Sequence, residues 1–140
     1  MAEQNNQPDG FRAARSSRRL SHTLGYMKKV LFICSQNQLR SPTAEQVFST
    51  WMGLEVSSAG TNHDAENPVT PEALEWADII IVMERAHRNK LQKKFRSSLN
   101  GKRIVCLEIP DEYDFMDPSL IRLLEAKVPQ FLPAGAFNGT

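Results

Sequence analysis

The polarity of the chain divides it into three stretches. Gln4, Asn5, Asn6, Gln7, Pro8 and Gly10 open the first, and Arg12, Arg15, Arg18 and Arg19 follow among serines. Residues 1–26 therefore bury too little apolar surface to offset the entropy of ordering, which predicts a disordered extension. From Lys28 the pattern tightens. Val30, Leu31, Phe32 and Ile33 form a short continuous apolar run, the mark of a strand buried on both faces. A polar loop from Cys34 to Ser41 follows. Pro42 suits the first turn of a helix, and Ala44, Val47, Phe48, Trp51 and Met52 recur at helical spacing up to Gly53. Leu54 and Val56 with Ser57 and Ser58 predict a second strand, and Ile79 to Val82 a third. Between them Thr70, Pro71 and Glu72 form a helix-start signal ahead of Ala73, Leu74 and Trp76. Ala86, Leu91 and Phe95, set among basic residues, predict a surface helix ending near Gly101. Ile104, Val105, Cys106, Leu107 and Ile109 make a fourth strand. Pro118 opens a last helix through Leu120, Ile121, Leu123, Leu124 and Val128, which Pro129 stops. Residues 129–140, with Gly135 and Gly139, read as a flexible tail.

Strands alternating with helices predict an α/β fold: a three-layer sandwich with a four-stranded, mainly parallel sheet and helices on both faces. A chain of 140 residues accommodates one such domain, placed here at residues 27–128. Charge is nearly balanced, 17 Lys and Arg against 16 Asp and Glu, so no overall field draws the molecule onto nucleic acid or an anionic membrane. No apolar run approaches the roughly 20 residues of a bilayer-spanning helix. The two cysteines, Cys34 and Cys106, form no Cys-x-x-Cys pair, and no histidine stands at metal-ligand spacing. A metal is not expected. Both cysteines lie in or beside apolar runs, which suits a reducing compartment such as the cytoplasm.

Chemistry concentrates in the loop Cys34, Ser35, Gln36, Asn37, Gln38, Leu39, Arg40, Ser41, at the carboxyl end of the first strand with a helix behind it. A loop wrapped at a helix N-terminus points several N–H groups at one spot, where the dipole also favours negative charge. Phosphate fits there. Arg40 can curl its planar fork back over an oxyanion, and the same field holds Cys34 as a thiolate, the nucleophilic form. Ser41 can donate its hydroxyl to the sulfur, and Asn37 tolerates a left-handed backbone in a tight loop. Departure of an alkoxide or phenoxide calls for a positioned acid, and Asp111, Asp114 and Asp117 all lie on one late loop. Spacing alone does not choose among them. Ser58 and Thr61 read as loop-bracing residues, and Cys106 as a small buried hydrophobe. The run Arg85, His87, Arg88, Lys90, Lys93, Lys94, Arg96 reads as a solvated helix face.

The pattern Cys34, five residues, Arg40, Ser41 resembles the C-x5-R-S signature of the low-molecular-weight protein tyrosine phosphatases. Pro42, Ala44 and Glu45 behind it, Ser58 to Thr61 at the second-strand end, and Ile109 to Tyr113 late in the chain are similar to that family's segments. The resemblance covers Lys28 to about Val128. It implies a cysteine-dependent phosphomonoesterase, acting through a phosphocysteine intermediate on a phosphorylated small molecule or protein, with no cofactor. Cys34 is then the nucleophile, Arg40 the oxyanion binder and Asp111 the general acid, with Tyr113 helping to wall the entrance and Ser58 left as a cleft-wall or bracing residue. The chain departs from the family in three places. The stretch from Thr61 to Asp78 is short, Gln36 stands for a usual glycine, and Leu39 stands for a usual second cysteine, so no partner protects Cys34 by a disulfide. Two alternatives remain: arsenate reduction, which relays a disulfide through further cysteines, and a non-catalytic phosphate- or nucleic-acid-binding module that kept the loop.

Overall fold

Val30, Leu31, Phe32 and Ile33 are wholly inaccessible to solvent, so both faces of β1 (Lys28–Cys34) lie inside the protein. The computed structural model describes residues 27–138; the extension expected over residues 1–26 lies outside the described residues. The chain continues through α1 (Arg40–Phe48), β2 (Trp51–Met52), β3 (Leu54–Gly60), α2 (Pro71–Trp76) and β4 (Ile79–Val82). It then forms α3 (Arg85–Lys94), β5 (Arg103–Cys106), α4 (Pro118–Lys127) and β6 (Phe137–Asn138). No helix among the described residues is long and apolar enough to cross a membrane.

Four strands form one sheet in the order β3-β1-β4-β5, with every pairing parallel. The expected three-layer α/β sandwich is the one observed. Period-two alternation along β1 sorts the core into two layers. Val30, Phe32 and Cys34 face Ala44 and Phe48 of α1 and Leu120 and Leu124 of α4. Leu31 and Ile33 face Ala73 and Leu74 of α2 and Leu91 of α3. The chain leaves β1 for β3 on one side and returns to β4 on the other, so the crevice beyond β1 is the topological switch point of the sheet. Open parallel sheets bind ligands at that position.

Helix starts follow the sequence signals. Thr70 Oγ1 accepts the N–H of Ala73 at 3.1 Å with Pro71 behind it, and Asp117 Oδ1 accepts that of Ser119 at 2.8 Å ahead of α4. The end of α1 differs from the expectation. Helical spacing carried it to Met52, whereas it stops at Phe48, and Trp51 and Met52 pair antiparallel with Asn138 and Phe137. One ring contact and one glycine turn favour this. The Trp51 ring lies 5.1 Å from that of Phe48, and Gly53, at φ +84, makes a turn into β3 that a side chain would strain. Residues 129–138 likewise run back onto the domain: Phe131, Leu132 and Ala136 pack against the α1 and α4 layer. β5 ends earlier than the apolar run. Glu108 takes a left-handed φ of +57, yet Leu107 and Ile109 still donate to the carbonyls of Val82 and Met83 at 2.9 and 2.8 Å.

Candidate active site

The loop from Cys34 to Arg40 is held by its own carbonyls. Cys34 O accepts the N–H of Thr61 at 2.9 Å, Ser35 O that of Asn62 at 3.1 Å and Gln36 O that of Glu66 at 2.9 Å. Each trans peptide points its N–H opposite to its carbonyl, so tying three carbonyls outward turns the following amides inward. Among the described residues, none of the amides of Ser35 to Arg40 has an acceptor in the protein. Gly60 permits this packing. A Cβ there would stand 2.6 Å from Ser35 O and 3.0 Å from Asn37 N. Asn37 occupies the left-handed position at φ +58.

Beneath the loop a buried hydrogen-bond network runs from the Glu45 carboxylate toward the sulfur. The Asn37 side-chain amide donates to Ser41 Oγ and to Ser58 Oγ, both at 2.9 Å, and Ser58 Oγ donates to the Glu45 carboxylate. Ser41 Oγ accepts from Asn37, lies 3.0 Å from Cys34 Sγ and has Ala59 O within 3.5 Å. Asn37, Ser41 and Ser58 are all buried. Ser58 thus braces the loop and does not wall the cleft.

Above the sulfur lies a small cavity of about 80 Å³, lined by Cys34, Ser35, Gln36, Gln38, Leu39, Arg40 and Asp111. Arg40 is buried and its Nη1 is committed, donating to Ile109 O at 2.7 Å and to the Glu84 carboxylate. Its Nη2 donors take no partner among the described residues. Asp111 approaches Arg40 Nε at 3.7 Å with its side chain 62% exposed, so it stands at the mouth. Asp114 and Asp117 do not reach this cavity; Asp117 spends its carboxylate capping α4.

Tyr113 departs from its expected place. It is half-buried against the α1 and α4 layer and does not line the cavity, since burial of the ring outweighs its display at the entrance. Cys106 is half-buried rather than fully buried. His87 also departs from its expected place, being 3% exposed and not part of a solvated face. Glu84 and His87 form the capping box of α3, with Nδ1 of the ring accepting the Glu84 N–H at 3.0 Å. Its Nε2 lies 2.9 Å from Ser35 Oγ. Burial, and then the Arg40 charge, lower its pKa to about 4. Glu45, Glu84 and His87 were missing from the sequence-level site. A readable signal existed only for the last two, the E-x-x-H spacing of a capping box after a strand.

The family model described as low molecular weight phosphotyrosine protein phosphatase matches residues 29–77, from β1 through α2. No curated relative matches the chain by sequence. Among solved structures, the tyrosine phosphatase Wzb from Escherichia coli K30, in complex with phosphate, superimposes with a TM-score of 0.58 at 21% identity, over 75% of this chain and 96% of that one. The low molecular weight protein tyrosine phosphatase SP-PTP from Streptococcus pyogenes gives 0.60 at 17%, over 77% and 95%. The YwlE arginine phosphatase from Geobacillus stearothermophilus gives 0.56 at 19%, over 70% and 88%. At these identities the likeness is one of fold.

Proposed function

We propose that the chain is a member of the low-molecular-weight phosphotyrosine protein phosphatase family, whose model matches residues 29–77, and a cysteine-dependent phosphomonoesterase working through a phosphocysteine intermediate. One observation carries the reading. Cys34, its Sγ 3.0 Å from the Ser41 hydroxyl, lines one cavity together with Arg40 and Asp111.

The chemistry takes two displacements at phosphorus. The Cys34 thiolate attacks, the S–P bond forms, the P–O bond to the leaving group breaks, and Asp111 gives its proton to the departing oxygen. Water then attacks phosphorus and yields its proton to Asp111. The S–P bond breaks, and inorganic phosphate leaves with the thiolate restored. The inward loop amides and Arg40 Nη2 meet the charge on the equatorial oxygens, and Ser41 supports the sulfur as a leaving group. Ser35, Gln36, Asn37, Gln38 and Leu39 supply backbone donors. Phosphotyrosine and other aryl phosphates are the proposed substrates, and the cytoplasm the proposed location, in keeping with two free thiols.

Arsenate reduction lacks a thiol in reach. Cys106 lies on β5, separated from β1 by β4, and two strand spacings are about 9–10 Å, beyond the span of a disulfide. No contact favours a binding module without turnover. The test is hydrolysis of an aryl phosphate by the wild type and by Cys34→Ser. Turnover that is lost in the variant supports the assignment; wild-type turnover no faster than the variant's sinks it.

A further inference from the structure

We infer that His87 is a positioning residue that turns the Ser35 hydroxyl into a hydrogen-bond donor for the phosphoryl group above Cys34. This rests on the phosphatase reading and adds a donor to its oxyanion site.

Two hydrogen bonds carry the inference. Nδ1 of His87 accepts the backbone N–H of Glu84 at 3.0 Å, so that nitrogen must keep its lone pair. The neutral ring therefore holds its proton on Nε2, which lies 2.9 Å from Ser35 Oγ and donates to it. Ser35 Oγ accepts that bond, and its own proton takes no acceptor among the described residues. Ser35 lines the cavity together with Cys34 and Arg40, so the free proton is available to a bound oxyanion. The opposite tautomer would reverse the bond. Ser35 would then donate to the ring and present only lone pairs to a dianion.

The same turn of α3 holds both ends of the phosphate loop, since Glu84 binds Arg40 while His87 binds Ser35. The charged groups facing the ring are Arg40 from α1, Asp111 from the loop after β5, Glu84 at the N-cap of α3 and Lys90 within it. Burial and Arg40 prevail among them, and with a pKa of about 4 the ring is neutral at physiological pH.

The experiment compares Ser35→Ala, His87→Asn, His87→Gln and the Ser35→Ala/His87→Asn pair in aryl phosphate kinetics. Inorganic phosphate affinity, thermal midpoint and the ring 15N shifts of the wild type accompany it. The Asn oxygen can stand in for Nδ1 and keep the cap, whereas the Gln amide nitrogen can stand in for Nε2. Ser35→Ala and His87→Asn are each expected to lower kcat about 10-fold with KM little changed, the size of one lost hydrogen bond to a charged group. The pair should fall no further than either alone, and His87→Gln should recover most of kcat. A bare Nδ1 and a protonated Nε2 are expected at pH 7. The reverse tautomer, an additive double variant, or activity that merely follows the thermal midpoint would overturn the inference. If the wild type hydrolyses nothing, the phosphatase reading falls separately. The tautomer, and an expected loss of about 10-fold in phosphate affinity in Ser35→Ala, still decide the hydrogen bond.

Discussion

On the α1 side of the phosphate loop the supporting groups are mainly neutral and buried: Ser41, Asn37 and Ser58, anchored on Glu45. On the α3 side Glu84 and Asp111 set charge against Arg40, with Asp111 at the mouth, while the buried neutral ring of His87 bonds Ser35. The two sides serve different needs. The sulfur has the Ser41 hydroxyl fixed beside it at 3.0 Å, held by a network that brings no second cation underneath. In the proposed reaction a phosphoryl group brings charge that changes, and only the side open to substrate can meet it. The division predicts kinetic losses on the α3 side and losses of stability on the α1 side.

The largest effect tests the mouth. Asp111→Asn should lower kcat on an aryl phosphate by about 10²- to 10⁴-fold, the contribution of a general acid, while Asp114→Asn stays near wild type. Activity surviving Asp111→Asn but lost in Asp114→Asn or Asp117→Asn would move the acid along the loop. Arg40→Lys should cost about 10²-fold in kcat/KM, because an ammonium cannot bond Ile109 O and Glu84 while also presenting a planar fork to the oxyanion.

A pH titration of stability sharpens the comparison from the α3 side. The native His87 pKa is about 4, against about 6.5 in an unfolded chain. Between those values the unfolded state binds a proton that the native state refuses, so stability rises with pH there. It should therefore be at its full value above pH 6.5 and fall by on the order of 2–3 kcal/mol as pH drops toward 4. His87→Gln should flatten that part of the curve in denaturant melts, and an unchanged slope would assign the titration to another group. The smallest kinetic effect belongs to the α1 side. Ser58→Ala leaves an Asn37 amide proton and the Glu45 carboxylate without that partner, and should cost about 1–3 kcal/mol in the denaturant midpoint. If it lowered kcat more than Arg40→Lys does, the division between the two sides would break.

How legible these features were depends on the range of the interaction behind them. The apolar runs of β1 and β4 and the start of α2 at Thr70 and Pro71 are local, and each appears where its residues imply. So does the loop from Cys34 to Ser41, because a strand, a turn and a helix start are contiguous in it. Met52 and Tyr113 misled for the opposite reason. Met52 pairs with Phe137, and Tyr113 packs on a core assembled from β1, β4, α1 and α4, partners that no local window contains. His87 sits among five Lys and Arg residues from Arg85 to Lys94, which made a solvated face the natural reading. Its burial follows from β1 and β4 lying side by side, which brings the start of α3 against the phosphate loop.

The sequence by itself determined the α/β order, the loop from Cys34 to Ser41 at the end of its first strand, and three candidate acids, because periodicity and motif spacing are properties of neighbouring residues. Only the tertiary structure decided that Asp111 reaches the cavity, that Ser58 braces Asn37, and that Glu84 and His87 close on Arg40 and Ser35. These contacts join residues 21 to 71 positions apart, and parallel strand pairing is the force that brings them together, since each crossover returns a new loop to the same edge of the sheet.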